Sequence, residues 1–188
     1  MGKVVIEKTR DVRMYAEMWH TSEVLLMNGK ENAKGCTHQF RASLVFTAFT
    51  LEAYLNHIGK KLFKCWDDLD RLRPKEKLNV VADRIGLQVD YGRQPWQIVQ
   101  DLFGFRNKIA HGRSEELSES VPLDKYQDEV LPQFVLTDWE KDCNEKKAER
   151  AREHVKAIVH SIHEAANIPN EPFPFVLGAQ FRNCKGGT

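Results

Sequence analysis

Three side chains near the middle of the chain have types and spacing that could do acid–base and phosphate chemistry. They are Arg106, Asn107 and His111, in the run "LFGFRNKIAHG" from Leu102 to Gly112. On a helix each residue turns by about 100°, so Asn107 and His111 lie about 40° apart around the axis and one turn apart along it. The asparagine amide can therefore hydrogen-bond the imidazole and select its tautomer and orientation. Arg106 lies about 140° from His111, but its long side chain can sweep toward the same helix end. Phe105 and Ile109 take the core direction, so the polar trio is expected to point away from the protein's own core. Histidine exchanges protons near neutral pH, and arginine offers a two-pronged donor to a phosphate and to the charge developing on it. Together these are tools for attack of an RNA 2′-hydroxyl on its adjacent phosphate without a metal. The competing explanation is plain helix ending. His and Lys near a helix C-terminus complement its dipole, and glycine after the last turn is an ordinary stop.

The elements that would position these groups follow from hydrophobic spacing. A first helix is expected from about Thr9 to Asn32, with Thr9 as N-cap and Asp11 in the first turn. Val12, Tyr15, Trp19, Leu25 and Leu26 give it one apolar face. In the second, Thr37 to Phe63, Leu44, Ala48, Leu51, Leu55, Ile58 and Leu62 follow helical spacing, and Phe46, Phe49 and Tyr54 broaden the stripe. That predicts a central helix buried on two sides. Glu52 falls inside this stretch, where a carboxylate needs a partner or a wet cleft unless it turns outward. A shorter helix spans about Pro74 to Arg84, with Leu78, Val81, Ala82 and Ile85 as its apolar set. Pro95 reads as the first-turn proline of the motif helix, about 95–111, which Gly112 ends. Ile98, Leu102, Phe105 and Ile109 mark its buried stripe.

An irregular acidic loop over 113–136 follows, of a length that is often functional or mobile. Thr137 and Glu140 form a capping box for a last helix to about Asn167. Ala148, Val155, Ile158, Val159 and Ile162 line one side of it, and its charged first half is expected to stand proud of the core. Strand signals are weak and confined to Val4–Ile6, Phe134–Leu136 and Phe175–Leu177. The expected class is all-α: an up-and-down bundle of four to five helices, one domain over 1–168, with an extended Pro- and Gly-rich tail over 169–188.

Composition narrows the function classes. The 188 residues suit one core, and 41% hydrophobic with 29% charged residues fits a soluble globular chain. No apolar run approaches a membrane span, the N-terminus has no signal-peptide core, and Ile6 stands where a myristoylation signal needs Ser or Thr. Cys36, Cys65, Cys143 and Cys184 lack C-x-x-C spacing, which favours reduced thiols in the cytoplasm over disulfides or a zinc site. A formal net charge of +1 gives no global basic field, leaving Lys60 to Lys77, "KKLFKCWDDLDRLRPKEK", as a local nucleic-acid candidate or, more simply, a solvated face. His160, His163 and Glu164, with His154 earlier on the same helix, could ligate a metal. Two histidines without further ligands are more often surface residues, and no metal or cofactor is expected. Trp96 and Trp139 could stack on bases, though a core or interface role is simpler. Cys65 reads as a buried small hydrophobe.

With these residues in place the chain resembles the HEPN superfamily, small all-α domains of prokaryotic toxins and RNA-processing proteins. The family motif is Arg, a polar residue (often Asn), three variable residues and His. Here it reads Arg106, Asn107, Lys108-Ile109-Ala110 and His111, followed by Gly112. "FTAFTLEAYLNHIGKKL" is similar to the family's earlier core helix, where an acidic residue in apolar surroundings precedes a Leu-Asn pair, here Glu52, Leu55 and Asn56. The match runs from about Thr37 to Gly112.

The resemblance implies a homodimer with both motif-bearing helix ends in a shared cleft, acting on RNA as a metal-independent endoribonuclease that leaves a 2′,3′-cyclic phosphate. His111 would be general base or acid, Arg106 would bind the phosphate, and Asn107 would orient the histidine, with Glu52, Asn56 and Lys108 supporting. A toxin or phage-defence role would imply a protein antitoxin. The alternative within the family is a non-catalytic RNA-binding or dimerisation module. A third reading is a helical partner-binding protein whose histidine serves only the helix dipole; it would be monomeric and indifferent to substitution of Arg106. The acidic stretch from Ser114 to Glu129 would repel RNA or act as a lid if it lay over the cleft.

Overall fold

Apolar residues recurring every three to four positions from Leu44 to Leu62 dictate one long buried helix. The computed structural model, which describes residues 11–120 and 135–173, places that helix at the centre. We label the helices α1 (Met14–Glu31), α2 (Cys36–Leu62), α3 (Trp66–Leu69), α4 (Pro74–Arg84), α5 (Ile98–Ala110), α6 (Asp138–Lys141) and α7 (Glu145–Ala165). The described residues are thus all-α, with no strand among them, including at Val135 and Leu136. α2 packs against α1, α3, α4, α5 and α7, and its Leu51, Leu55 and Ile58 are fully covered. No helix among the described residues is long and apolar enough to cross a membrane.

Helix boundaries depart from the sequence expectation in three places. α1 opens after Arg13, with Val12 exposed ahead of it; Thr9, Val4–Ile6 and Phe175–Leu177 lie outside the described residues. Pro95 does not begin α5. Pro95 to Gln97 form a tighter turn in which Ile98 N–H donates to the Pro95 carbonyl and Val99 N–H to that of Trp96, and Trp96 turns into the core. The last helix is split: the Thr137–Glu140 capping box serves only the single turn α6, and Asn144 caps α7 afresh by accepting from Lys147 N–H at 3.0 Å.

The charged first half of α7 does not stand clear of the core either. Ala148 and Ala151 are buried, and so is Arg152, which docks on α1. The start of the tail also folds back, with Phe173 stacked on Trp19 at 4.6 Å between ring centroids.

Side-chain pairings fix the helix directions. α1 and α2 form an antiparallel pair, since Ser43 on α2 donates to the Ser22 carbonyl and Tyr15 meets Tyr54. α4 runs in the same sense as α2: Lys77 reaches Asn56, and Arg84, seven residues on, lies over Phe63. α5 and α7 do likewise. Ile98 and Ala151 share a pocket with Leu44, while Arg106 reaches Glu52 and His163 reaches Tyr54. The up-and-down order expected for the whole bundle therefore holds for its first pair only. Helices sharing a direction need return connections, which gives the long stretch before α5 a topological reason to exist.

Close approach needs glycine at one crossing. A Cβ on Gly59 would come within 2.2 Å of the Trp66 ring, so Trp66 seals the base of α2 only because residue 59 has no side chain. Turning Trp66 inward leaves Cys65 exposed, not buried as its sequence neighbourhood suggests.

Candidate active site

Burial of Phe105 sets the rotation of α5 and delivers the next residue, Arg106, against α2. Arg106 Nη2 donates to Glu52 Oε2 at 2.6 Å and Nη1 donates to Asn107 Oδ1 at 2.8 Å. The guanidinium carbon lies 5.6 Å from the ring centroid of Phe103 and 5.9 Å from that of Phe49. Two rings, a carboxylate and an amide thus hold a side chain that is 19% exposed. This corrects the expectation that the polar trio aims outward: Arg106 is drawn in by Glu52, while Asn107 and His111 stay exposed.

Glu52 does not turn outward. Its second oxygen, Oε1, lies 3.8 Å from Lys77 Nζ, and that ammonium donates to Asn56 Oδ1 at 2.9 Å. Asn56 therefore has a defined job beside Glu52. Lys77, with a side chain only 3% exposed, is a member of the site that sequence reasoning missed. The available signal was its place at the edge of the α4 apolar stripe, one residue before Leu78 and four before Val81.

His111 caps α5, its backbone N–H donating to the Asn107 carbonyl at 2.9 Å. Among the described residues its imidazole has no hydrogen-bond partner. The orienting bond expected from Asn107 is not made; the Asn107 amide oxygen accepts from its neighbour Arg106 instead. Lys108 is exposed about 200° around the helix from Arg106, so the structure does not bring it to the cluster.

Arg106 and Asn107 open on a groove of about 570 Å³ between α5 and the start of α4, where Arg73, Lys75 and Asn79 form the facing wall. Glu76 accepts from the Arg73 backbone N–H at 2.9 Å and from its Nε at 2.8 Å; the Arg73 guanidinium holds this carboxyl below its usual range. Lys75 lies 4.3 Å from the centroid of the Tyr91 ring.

Family models, curated proteins and solved structures were each searched, and none matches this chain. The site therefore has to be judged on its own geometry.

His163 Nε2 lies 2.7 Å from the Asn170 carbonyl, which can only accept, so Nε2 carries the proton and Nδ1 accepts from the Tyr54 hydroxyl at 3.1 Å. Both nitrogens are used, and among the described residues no group of three His, Cys, Asp or Glu could hold a metal ion. Trp96 is buried, and Trp139 carries the Arg41 guanidinium 4.5 Å from its ring centroid. The basic stretch divides: Lys60, Lys61 and Lys64 gather with Arg84 around Phe63, whereas Lys77 is buried at the Glu52 cluster.

Proposed function

We propose that this chain is a metal-independent endoribonuclease of HEPN type that works as a homodimer. The observation that carries the reading is the treatment of Arg106. A flexible cation is clamped by Glu52, Asn107 and two phenyl rings at the wall of an open groove, while an exposed histidine with no hydrogen-bond partner among the described residues ends the same helix. Such preorganisation suits electrostatic stabilisation of a phosphate, since no reorganisation is left for the moment of reaction.

In this reaction the 2′-oxygen bonds to phosphorus and the P–O5′ bond breaks, giving a 2′,3′-cyclic phosphate and a free 5′-hydroxyl. One His111 takes the proton from the 2′-hydroxyl, and its counterpart in the second protomer supplies one to the departing 5′-oxygen. Arg106 neutralises the charge that gathers on the non-bridging oxygens. A role as toxin or phage-defence effector, restrained by a protein antitoxin, is an extension of the same proposal.

One observation favours the second reading, a non-catalytic RNA-binding or dimerisation module: the Asn107 amide oxygen accepts from Arg106, and among the described residues the His111 imidazole has no hydrogen-bond partner. One experiment separates the two. A labelled structured RNA is incubated in EDTA with wild type, His111→Ala and Arg106→Ala at matched dimer content. The nuclease reading expects cyclic-phosphate ends from wild type and a loss of about a hundredfold or more in each variant. A stable dimer that binds without cutting leaves the module reading.

A further inference from the structure

Charge balance around Glu52 gives Lys77 a part beyond support. We infer that Lys77 is a positioning residue that leaves the Glu52–Arg106 pair one positive charge in surplus, so that the groove wall takes a phosphate monoanion. The inference rests on the phosphate role proposed for Arg106.

A glutamate–arginine pair is formally neutral, and closing it would take the arginine's charge out of play. Lys77 changes the count. Arg106 holds Oε2 of Glu52 at 2.6 Å while the Lys77 ammonium faces Oε1 at 3.8 Å, so a single carboxylate is shared by two cations. A buried ammonium needs an opposite charge or full hydrogen bonding, and the partners Lys77 has are Asn56 Oδ1 and this shared carboxylate. The surplus is not dispersed at Lys77, which is shut off from water. It is expressed at Arg106, whose side chain lines the groove.

Arg106 has donors to spare. A guanidinium carries five N–H groups, and the described partners of Arg106 are Glu52 and Asn107, with its Nε buried and unpartnered. Across the groove, Arg73 is already satisfied by Glu76, so the surplus is not matched from that side by a free carboxylate. A phosphodiester brings one negative charge, which closes the count of the Arg106–Lys77–Glu52 cluster at two cations and two anions, with Lys75 of the facing wall held over the Tyr91 ring outside that count.

The test uses two probes on the full chain: inorganic phosphate, followed by NMR on the Arg106 Nε–H resonance, and a 2′-O-methyl RNA oligonucleotide, which binds without being cut, followed by fluorescence anisotropy. Lys77→Met brings the cluster to formal neutrality, and the double variant with Glu52→Gln, which removes the carboxylate together with the buried ammonium that needs it, returns it to the wild-type value. Lys77→Met is expected to weaken both probes about tenfold and the double variant to recover to within about threefold. A merely structural lysine would not be rescued by a second substitution. Failure of that rescue, wild-type affinity in Lys77→Met, or a wild type that binds neither probe each overturns the inference. If Lys77→Met alone does not fold, the double variant must bind both probes within about threefold of wild type, and a larger loss overturns the idea. Phosphate binding in the expected charge order without any RNA cleavage would leave this inference standing and defeat the nuclease reading.

Discussion

A titratable residue away from the candidate site sets a pH limit on the fold. His57 on α2 is half-buried, its ring 4.9 Å from that of Tyr15. Burial pushes its imidazole below the ordinary value, Lys61 and Arg13 push the same way, and Asp11 opposes them. The unfolded histidine titrates near pH 6.5, so below that the unfolded chain binds a proton that the folded chain does not. Stability is then full above about pH 6.5 and declines as pH falls toward the depressed folded value. Urea midpoints at about pH 7.5 and about pH 5.5 should differ less in His57→Gln than in wild type; an equal difference would assign the acid limit to other groups. Among the candidate site residues, Arg106 and Glu52, which the fold brings together, were legible as charges in otherwise apolar helical stretches. The partner of Asn107 was not, since an adjacent arginine pulled toward another helix competes for the same amide oxygen. Lys77 was legible only as a cation at the edge of the α4 apolar stripe; its role exists only once α4 lies along α2.

At the scale of elements, periodicity located α2 and α4 to within a residue, because each buries a broad stripe against neighbours. It failed at the first half of α7, where the charged residues looked solvated. The Arg152 side chain is instead buried, with its guanidinium 3.7 Å from the Trp19 ring centroid and Nη1 donating to the Trp19 carbonyl at 2.9 Å and to Ser22 Oγ. Ser43 donates to the Ser22 carbonyl at 2.7 Å, so this one arginine ties α7 to the α1–α2 pair. Burial lowers its pKa to about 10, which leaves it charged at neutral pH. Nearby, Lys30 on α1 pairs with Glu145 and Glu149 on α7, an exposed contact that adds little by comparison. Arg152→Leu keeps an apolar stem and leaves the Ser22 hydroxyl bonded to the Trp19 carbonyl at 2.8 Å, but it removes the charged donor that joins both to α7, so chemical denaturation should show a loss of about 1–2 kcal/mol. A loss below about 0.5 kcal/mol would mean that the apolar contacts of α7 suffice without the arginine. No spacing rule flags such a residue, because an arginine on a helix is solvated far more often than buried.

For the whole molecule, the open question is whether one chain makes a complete site. Among the described residues Arg106 is held by Glu52 and Asn107 while the exposed His111 imidazole at the end of α5 has no hydrogen-bond partner, an asymmetry that the proposed dimer would resolve. A second copy related by a two-fold axis would bring another α5 end to the same place, supplying both a second histidine and new partners for the first. Mixing distinguishes this from two independent sites. When wild type and His111→Ala are unfolded together in equal amounts and refolded, about a quarter of the dimers carry two wild-type chains and about half are mixed. If cleavage needs both histidines, as base and acid, activity falls to about a quarter of that of the same total protein as wild type. If each chain acts alone, it falls only to about half. A value near one half would return the full reaction to one protomer, and the unengaged His111 would then need an orienting partner from the RNA itself. Sedimentation of the wild type as a monomer at working concentration would remove the composite site altogether and leave Arg106 as an anion-binding group on an isolated domain.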